Sequence, residues 1–308
     1  MKIVFFGNAD FGIPTLNLLN KNHAIASVVT NVDKRAKRGK TLSQTPIKRW
    51  ATENNINCIE QDSLSESSFH EKLERLNADI FIVIAYRLLP SEIFNIPRLS
   101  TMNLHASMLP KYRGAAPIQR ALLNGDKETG VSTFIIDKKI DKGNLILQKK
   151  CKINEDDNYG KLYLRLSLQG AELVIDSIKH LASNKELSTQ LGQTSYAYKI
   201  KKNETLINWK ENTDSIINKI RAFSPTPGAF TFLNSKRVRL LNASKDNHIE
   251  VSIKPGKILI KNKNILIGTG DGFIVASKLQ IEGKKAVNSD NFINGYLKKI
   301  EIMEFQDK

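Results

Sequence analysis

The sequence predicts an α/β fold in which a first domain with a parallel-rich sheet is followed by a small domain made mainly of strands. In the first half, short apolar runs alternate with helical patterns, which is typical of βαβ units. Beyond about residue 230, short apolar runs follow one another closely, with turn residues between them. The length of 308 residues also exceeds that of one typical domain, so two domains are expected.

The first-half strands are predicted from five short apolar runs. Helical signals lie between these runs, so the strands are expected to pair in one sheet through crossover connections. The runs are Ile3 to Phe6, Ile25 to Val29, Ile80 to Ala85, Met102 to His105 and Val131 to Ile136.

The helices of this half are predicted from start signals and spacing. Thr45-Pro46 has the form of an N-cap residue followed by proline at the first helical position, which predicts a helix over Ile47 to Asn54. The segment Ser68-Phe-His-Glu71 has the form of a capping box and predicts a second helix start. From Tyr159 to His180, leucines recur near the spacing of one buried helix face, which predicts a longer helix.

The second half is predicted to contain one short helix and then strands. An amphipathic pattern follows Asn212, and Ser224-Pro-Thr-Pro-Gly228 ends it. The closely spaced strands after it indicate a small sandwich or barrel. These runs are Phe230 to Leu233, Arg237 to Leu241, Ile249 to Ile253, Ile258 to Ile260, Ile265 to Ile267 and Phe273 to Leu279.

Composition excludes several classes of protein. No apolar run is long enough to span a membrane and no export signal is present, so we expect a protein that acts inside the cell without a membrane partner. The two cysteines, Cys58 and Cys151, form no motif typical of zinc sites or disulfide frameworks. The net charge of +16 gives weak support for a polyanionic partner such as RNA, although the abundance of lysine could also reflect the organism's general composition.

The strongest candidate site is a pair of polar side chains on one predicted strand. Because side chains two residues apart share a face, Asn103 and His105 point the same way, while Met102 and Leu104 point to the opposite face. An amide donor beside an imidazole suits a carbonyl oxygen that becomes negative during acyl transfer. No Ser or Cys nucleophile is needed if the substrate brings its own amine.

This stretch resembles the formyltransferases that use 10-formyltetrahydrofolate, and among them the methionyl-tRNA formyltransferases. Their signature of Asn-x-His, a Ser-x-Leu-Pro loop and Arg-Gly-Ala/Pro-x-Pro-Ile matches residues 103–118 here. The resemblance implies that Asn103, His105 and a later Asp form a catalytic trio. That Asp lies in a segment of the form Asp-x-x-x-Asp-x-Gly, which reads Asp137-Lys-Lys-Ile-Asp141-Lys-Gly143 in this chain, so Asp141 completes the trio.

The resemblance also implies the cosubstrate and the domain plan. The formyl donor is expected to be 10-formyltetrahydrofolate, with no metal and no nicotinamide, and the matching folate loop is Ser107, Met108, Leu109 and Pro110. The expected domains are a Rossmann-like formyltransferase domain over residues 1–187, a linker over 188–207 and an OB-like tRNA-binding domain over 208–308. The implied acceptor is the α-amine of methionyl initiator tRNA, and we expect a monomeric, cytoplasmic enzyme of the bacterial or organellar type.

A long basic loop, residues 33–46, is the feature that the resemblance assigns to tRNA. On composition alone it is an ordinary solvated loop. The methionyl-tRNA formyltransferases carry an Arg-Gly-Lys insertion here that enters the acceptor stem, and Arg38 and Lys40 are the matching residues. Because a guanidinium can form forked hydrogen bonds and an ammonium acts as a point charge, Arg38 is the better candidate for discrimination.

Other interpretations remain open at this point. A lone histidine or an Asp in a Lys-Gly turn is ordinarily structural, and only the combined motifs favour a site. Residues 5–12 follow a strand but lack Gly-x-Gly-x-x-Gly, which argues against nicotinamide binding. The same trio serves formyltransferases that act on sugar nucleotides or glycinamide ribonucleotide, and the basic loop and C-terminal domain favour tRNA over these. A non-enzymatic RNA-binding protein would require a broken trio, and the trio is complete.

Overall fold

The structure is a computed structural model, and it describes residues 1–35, 42–246, 251–297 and 304–305. The chain divides into two units. The first comprises Met1–Pro117, Glu128–Lys152 and Tyr163–Ala197, and the second comprises Ile118–Lys127, Ile153–Leu162 and Tyr198–Lys308. Two short stretches that interrupt the first unit, Ile118–Lys127 and Ile153–Leu162, therefore belong to the second. The domain boundaries expected near residues 187 and 208 stay a prediction.

Strands of the first unit begin almost at the first residue. In chain order they are β1 (Lys2–Gly7), β2 (Ala24–Thr30), β3 (Lys34–Arg35), β4 (Leu42–Ser43), β5 (Cys58–Glu60), β6 (Ile80–Ile84), β7 (Ser100–His105), β8 (Arg113–Gly114), β9 (Glu128–Ile135), β10 (Leu145–Lys152) and β11 (Tyr196–Ala197). The helices that start before residue 198 are α1 (Ile13–Asn22), α2 (Pro46–Glu53), α3 (Ser67–Arg75), α4 (Ser91–Phe94), α5 (Pro117–Leu123) and α6 (Tyr159–Ala182).

Seven of these strands form one sheet in the order β10-β9-β7-β6-β1-β2-β5. The five strands from β7 to β5 pair in parallel, whereas β9 and β10 are antiparallel additions at one edge. The predicted parallel-rich sheet is therefore confirmed. Residues of β1 alternate between two buried faces of the sheet. Phe6 packs with Phe69 and Leu73 of α3. Phe5 lies close to Ile47 of α2, beside Gly7 and Gly12. Burial on both faces explains the continuous apolar runs.

The order of the strands determines where a ligand can bind. The chain first moves from β1 to β2 and β5, and then returns to place β6 on the other side of β1. In open sheets of this kind, ligands bind beyond the carboxyl ends of the parallel strands near such a reversal. Strand β7 ends at His105, so the predicted site residues lie at this edge.

The second unit contains an antiparallel sheet, as predicted for the C-terminal domain. Its main path is β12-β13-β16-β15-β14, and β17 pairs with β16. Two-residue turns at Asn234–Ser235 and Asn262–Lys263 connect neighbouring strands, and all four residues have positive φ, which suits tight hairpins. The elements are α7 (Thr213–Phe223), β12 (Ala229–Leu233), β13 (Lys236–Ser244), β14 (Ile258–Lys261), β15 (Asn264–Gly268), β16 (Phe273–Ile281), β17 (Val287–Asn288) and α8 (Ser289–Gly295).

Most predicted elements are present within one or two residues of their expected ends. The predicted N-cap at Thr45 is confirmed, because its side-chain hydroxyl accepts a hydrogen bond of 3.1 Å from the Lys48 amide. The capping box at Ser68 is wrong. Helix α3 follows Glu66 and has no side-chain cap, because the burial of Phe69 and Leu73 on one helix face places Ser68 inside the first turn.

The strand predicted over Ile249 to Ile253 is also wrong in the part that the structure describes. Residues 251–253 form no strand, and residues 249–250 lie outside the described ranges. A Cβ at Gly268 would lie 2.1 Å from the carbonyl oxygen of Lys254, so this backbone crosses β15 closely instead of extending the sheet by a full strand. No helix within the described ranges is long and apolar enough to cross a membrane.

Candidate functional site

Asn103 and His105 lie on β7, between β6 and β9. Asn103 is opposite Val83 of β6 and Phe134 of β9, and His105 is opposite Ser132 of β9. Met102 and Leu104 are buried, and Leu104 packs against Gly170 of α6. The apolar residues of β7 thus anchor the strand, and its two polar residues are placed at the edge where the parallel strands end.

The two ring nitrogens of His105 have different neighbours. Nε2 lies 2.8 Å from the carbonyl oxygen of Tyr112, and because a carbonyl can only accept, this nitrogen carries a proton. Nδ1 lies 3.8 Å from Asp141 Oδ2, which is longer than a hydrogen bond. The imidazole side chain is only 8% exposed. Nδ1 and the carboxylate can therefore be bridged by a water molecule or by a substrate atom.

Asp141 is held through both its carboxylate and its backbone. The residue has φ of 51°, in the left-handed region that few non-glycine residues adopt. Oδ2 accepts a hydrogen bond of 2.7 Å from the Gly114 amide. The Asp141 carbonyl accepts from Arg113 Nε at 2.9 Å and from Gln190 Nε2 at 3.0 Å. These contacts fix the direction in which the carboxylate points.

Two glycines permit the close backbone approaches around Asp141. At Gly114, φ is 121°, and a Cβ would lie 2.8 Å from the Ala197 carbonyl oxygen. At Gly143, a Cβ would lie 1.7 Å from the Ile135 carbonyl oxygen. Because real Cβ contacts are longer, a side chain at Gly143 would push the Asp141 segment away from β9, and one at Gly114 would push β8, whose amide binds Asp141, away from β11.

The loop after β7 is closed by a buried network of hydroxyls. Ser107 Oγ donates to the Lys111 carbonyl at 2.6 Å, and Ser132 Oγ donates to the Ser107 carbonyl at 2.6 Å. Ser132 Oγ also accepts from the Leu109 amide at 3.1 Å and from Gln148 Nε2 at 2.8 Å. The Leu109-Pro110 peptide is cis. The loop therefore has one defined shape beside the site.

Within this loop, Met108 is half-buried, and Ser107, Leu109 and Pro110 are buried. The hydroxyl of Ser107 is engaged with the loop's own backbone, so its contribution here is to shape the loop. The prediction that these four residues contact folate stays a prediction.

The neighbouring loop after β6 carries Tyr86 and Arg87. Arg87 Nη2 donates to the Gln61 carbonyl at 2.6 Å and to the Tyr86 hydroxyl at 3.0 Å. Burial raises the pKa of the Tyr86 hydroxyl, which therefore stays protonated at neutral pH. Arg87 thus ties this loop to the segment after β5, at the same sheet edge as His105.

The structure brings His105 and Asp141 together and places Asn103 on the same strand. An amide donor, an imidazole and a carboxylate in this arrangement can stabilise an oxyanion and accept a proton from an attacking amine. Arg38 and Lys40 lie outside the described residues. Among the residues that the structure describes, no group of three or more His, Cys, Asp or Glu side chains could hold a metal ion.

Sequence reasoning missed Ser132 and Gln190. Arg113 lies within the quoted motif, but its contact with Asp141 was not predicted from it. Ser132 belongs to a predicted strand without any mark of its role, and Gln190 lies in a polar stretch with no pattern. Their contributions depend on contacts between segments far apart in sequence.

Comparisons with known proteins identify the family of this chain. A family model described as formyl transferase matches residues 1–178, and a model of the formyl transferase C-terminal domain matches residues 199–297. A protein of Thermodesulfovibrio yellowstonii named methionyl-tRNA formyltransferase is 40% identical over 298 residues, covering 95% of each chain. A protein of the same name from Coxiella burnetii is 37% identical over 305 residues, covering 97% of each chain.

A solved structure is also similar: the N-formyltransferase from Helicobacter canadensis in complex with folinic acid and dTDP-3-aminofucose. It has a TM-score of 0.67 and 25% identity, over 90% of this chain and 98% of that chain. Because the family models and the relatives both span nearly the whole chain, this chain belongs to the formyl transferase family and, within it, to the methionyl-tRNA formyltransferases.

Proposed function

We propose that this chain transfers the formyl group of 10-formyltetrahydrofolate to the α-amine of methionyl initiator tRNA, with Asn103, His105 and Asp141 as its catalytic residues. The observation that carries the proposal is the placement of Asp141 Oδ2 at 3.8 Å from His105 Nδ1. This contact joins two motifs that lie far apart in sequence. The product supplies formylmethionyl-tRNA for the initiation of translation.

The first chemical step forms a tetrahedral intermediate. The neutral amine nitrogen of the methionyl group attacks the formyl carbon, and the formyl oxygen takes up the negative charge. Asn103 Nδ2 donates to that oxygen, and His105 Nδ1–H, in the imidazolium form, adds a charge-assisted hydrogen bond. One such donor contributes roughly a hundred- to thousand-fold in rate.

The second step breaks the bond between the formyl carbon and N10 of the folate. The amine has lost one proton to a water molecule held by Asp141, and N10 takes up one proton as it leaves, so the overall reaction releases no proton. The trio thus needs no metal and no covalent enzyme intermediate.

The substrates are assigned to three parts of the chain. Ser107, Met108, Leu109 and Pro110 border the folate cosubstrate beside His105. Arg38 and Lys40 contact the acceptor stem of the initiator tRNA, and the net charge of +16 attracts this polyanion. The enzyme acts as a monomer in a bacterial-type cytoplasm or an organelle. Size-exclusion chromatography with light scattering tests whether it is a monomer.

One observation favours a second acceptor class. The similar structure from Helicobacter canadensis is in complex with dTDP-3-aminofucose, so an amino group on a nucleotide sugar is the alternative acceptor. The trio does not separate the two acceptors, because both reactions form the same intermediate at the formyl carbon.

The decisive experiment measures formyl transfer from 10-formyltetrahydrofolate to methionyl initiator tRNA, methionyl elongator tRNA and dTDP-3-aminofucose. We expect activity with the initiator tRNA and little with the other two acceptors. Activity only with the sugar would keep the chemistry and replace the acceptor. A fully active and folded His105→Ala variant would contradict the assigned mechanism.

A further inference from the structure

Gln190 differs from its neighbours in a segment that the sequence marks as a polar connection. Along residues 182–194, all of which the structure describes, every side chain is exposed except that of Gln190, which is half-buried. The segment is fixed to the first unit just before this point, where Ser188 and Leu145 exchange backbone hydrogen bonds of 2.7 and 3.0 Å. The side chain of Gln190 therefore points into the protein two residues after the backbone is fixed by the Ser188–Leu145 hydrogen bonds.

The amide of Gln190 contacts both the loop that carries Asp141 and the side chain of Arg113. Its Nε2 donates to the carbonyl of Asp141 at 3.0 Å and to the carbonyl of Gly143 at 2.8 Å. Its Oε1 accepts from Arg113 Nη2 at 2.6 Å and from Arg113 Nε at 3.1 Å. The two donated bonds thus hold the backbone on either side of Lys142, beginning at Asp141 itself.

Arg113 and the residue after it each add one more contact to Asp141. Arg113 Nε also donates to the Asp141 carbonyl, and the amide of the following residue, Gly114, donates to the carboxylate Oδ2. Arg113 is 9% exposed, so its charge depends on these acceptors for compensation. Gln190 helps to hold the side chain of Arg113. The orientation of the adjacent Gly114 amide consequently depends on Gln190 as well.

The backbone of Asp141 needs such support. Its φ of 51° is unfavourable for a residue with a Cβ, so contacts from other segments must maintain it. A change in this φ would rotate the carboxylate away from His105 Nδ1, because side-chain direction follows the backbone.

We propose that Gln190 is a positioning residue for formyl transfer, which holds Asp141 so that its carboxylate faces His105. This inference rests on the proposed function, because it takes Asp141 as a catalytic residue. Gln190 touches no reacting atom. It acts through the carbonyls of Asp141 and Gly143 and through the side chain of Arg113.

The test compares two substitutions of the same residue type in the same segment. Gln190→Met keeps the side-chain length and removes all four hydrogen bonds, and Gln193→Met changes an exposed glutamine three residues later. Because a misplacement of about 1 Å can cost about a hundredfold in rate, we expect Gln190→Met to lower kcat by about tenfold to a hundredfold. KM for both substrates should stay within about threefold of the wild type, since binding contacts are unchanged. Gln193→Met should match the wild type.

Hydrogen exchange of the Gly114 amide gives a readout that does not depend on activity. This amide donates to Asp141 Oδ2, so its exchange should become at least about tenfold faster in Gln190→Met and should not change in Gln193→Met. A kcat within about twofold of the wild type, or unchanged protection of Gly114 in Gln190→Met, would overturn the proposal. If the wild type transfers no formyl group, the proposed function fails, and the exchange rate still decides whether Gln190 holds Asp141.

A second variant covers the case in which Gln190→Met does not fold. Gln190→Glu keeps the acceptors for Arg113 and removes the donors to the carbonyls of Asp141 and Gly143. A lowered kcat with faster exchange of Gly114 supports the proposal, and wild-type behaviour of this variant overturns it.

Discussion

Asn103 is the residue at which oxyanion stabilisation can be tested alone, because its half-buried amide lies on β7 beside His105 without joining the Asp141 network. We expect Asn103→Ala to lower kcat by about a hundred- to thousand-fold, since one donor to the developing negative charge is lost. Steady-state kinetics with both substrates should show KM values within about threefold of the wild type.

The matched control for this variant is Asn95→Ala, at an exposed position just after α4. This control should keep the wild-type kcat, and both variants should keep the wild-type melting temperature. An unchanged kcat in Asn103→Ala would remove the amide from the mechanism.

Gly143 permits the close approach of the Asp141 segment to β9, and its substitution tests that geometry. A Cβ there would lie 1.7 Å from the Ile135 carbonyl oxygen, so Gly143→Ala must displace backbone. We expect its free energy of unfolding, measured by urea denaturation, to fall by about 1 to 3 kcal/mol, and its formyl transfer to fall as well. At Gly295, no described residue outside its own helix turn lies within 4 Å of an added Cβ, so Gly295→Ala should leave both quantities near the wild-type values.

These residues show how far the sequence could predict the site. The alternation along β7 was sufficient to place Asn103 and His105, because strand geometry is local. Asp141 could be found only through a family motif, since its turn has no distinguishing chemistry. Gln190 could not be found, because its function comes from two carbonyls and a guanidinium that tertiary folding brings to it.

At the scale of elements, the strands of the main sheet that the sequence did not predict are its two edges. Strand β10 has an exposed outer half with Lys149 and Lys150, and β5 has three residues, so neither shows a long apolar run. Polar edges prevent association with other sheets. Helix α8 is short and contains two buried apolar residues, which is too few for a periodic signal. Central strands were predicted well because burial on both faces makes them continuously apolar.

A lysine in α2 connects three elements and gives a prediction on pH. Lys48 Nζ lies 2.7 Å from Asp33 Oδ2 and 2.7 Å from Glu60 Oε1, which links α2 to the loop after β2 and to the end of β5. Hydrogen bonds to Asp33 and then to Glu60 raise the pKa of Lys48 to about 12. A raised pKa in the folded state means that the contribution to stability is complete below the ordinary value of 10.5 and is lost as pH rises through about 12.

We therefore expect Lys48→Met to lower the urea midpoint between pH 7 and pH 10, by an amount that does not change with pH, and the difference from the wild type to shrink above about pH 10.5. Lys72→Met, at an exposed position on α3, should show no such difference at any pH. A difference between wild type and Lys48→Met that is as large at pH 12 as at pH 7 would contradict the ion-pair explanation.

For the whole molecule, the net charge of +16 determines how the two substrates should respond to salt. A tRNA held by several lysines and arginines releases counterions on binding, so log KM should rise linearly with log salt concentration, with a slope of roughly 0.7 to 0.9 per phosphate contact. Tetrahydrofolate derivatives carry few charges, and KM for the formyl donor should change much less. Both slopes can be measured from initial rates between about 50 and 200 mM salt. Over this range, a protein that makes six to ten phosphate contacts loses roughly a thousandfold or more in affinity.

Two substitutions connect this global effect to the basic loop. Arg38→Gln should reduce the slope for initiator tRNA by about 1 and lower the preference for initiator over elongator tRNA, because it removes the guanidinium that we propose contacts the acceptor stem. Lys21→Gln, which removes one exposed charge from α1, lowers the net charge equally and should change neither quantity. Equal effects of the two variants would mean that tRNA responds to overall charge alone, and the discrimination assigned to Arg38 would then be wrong.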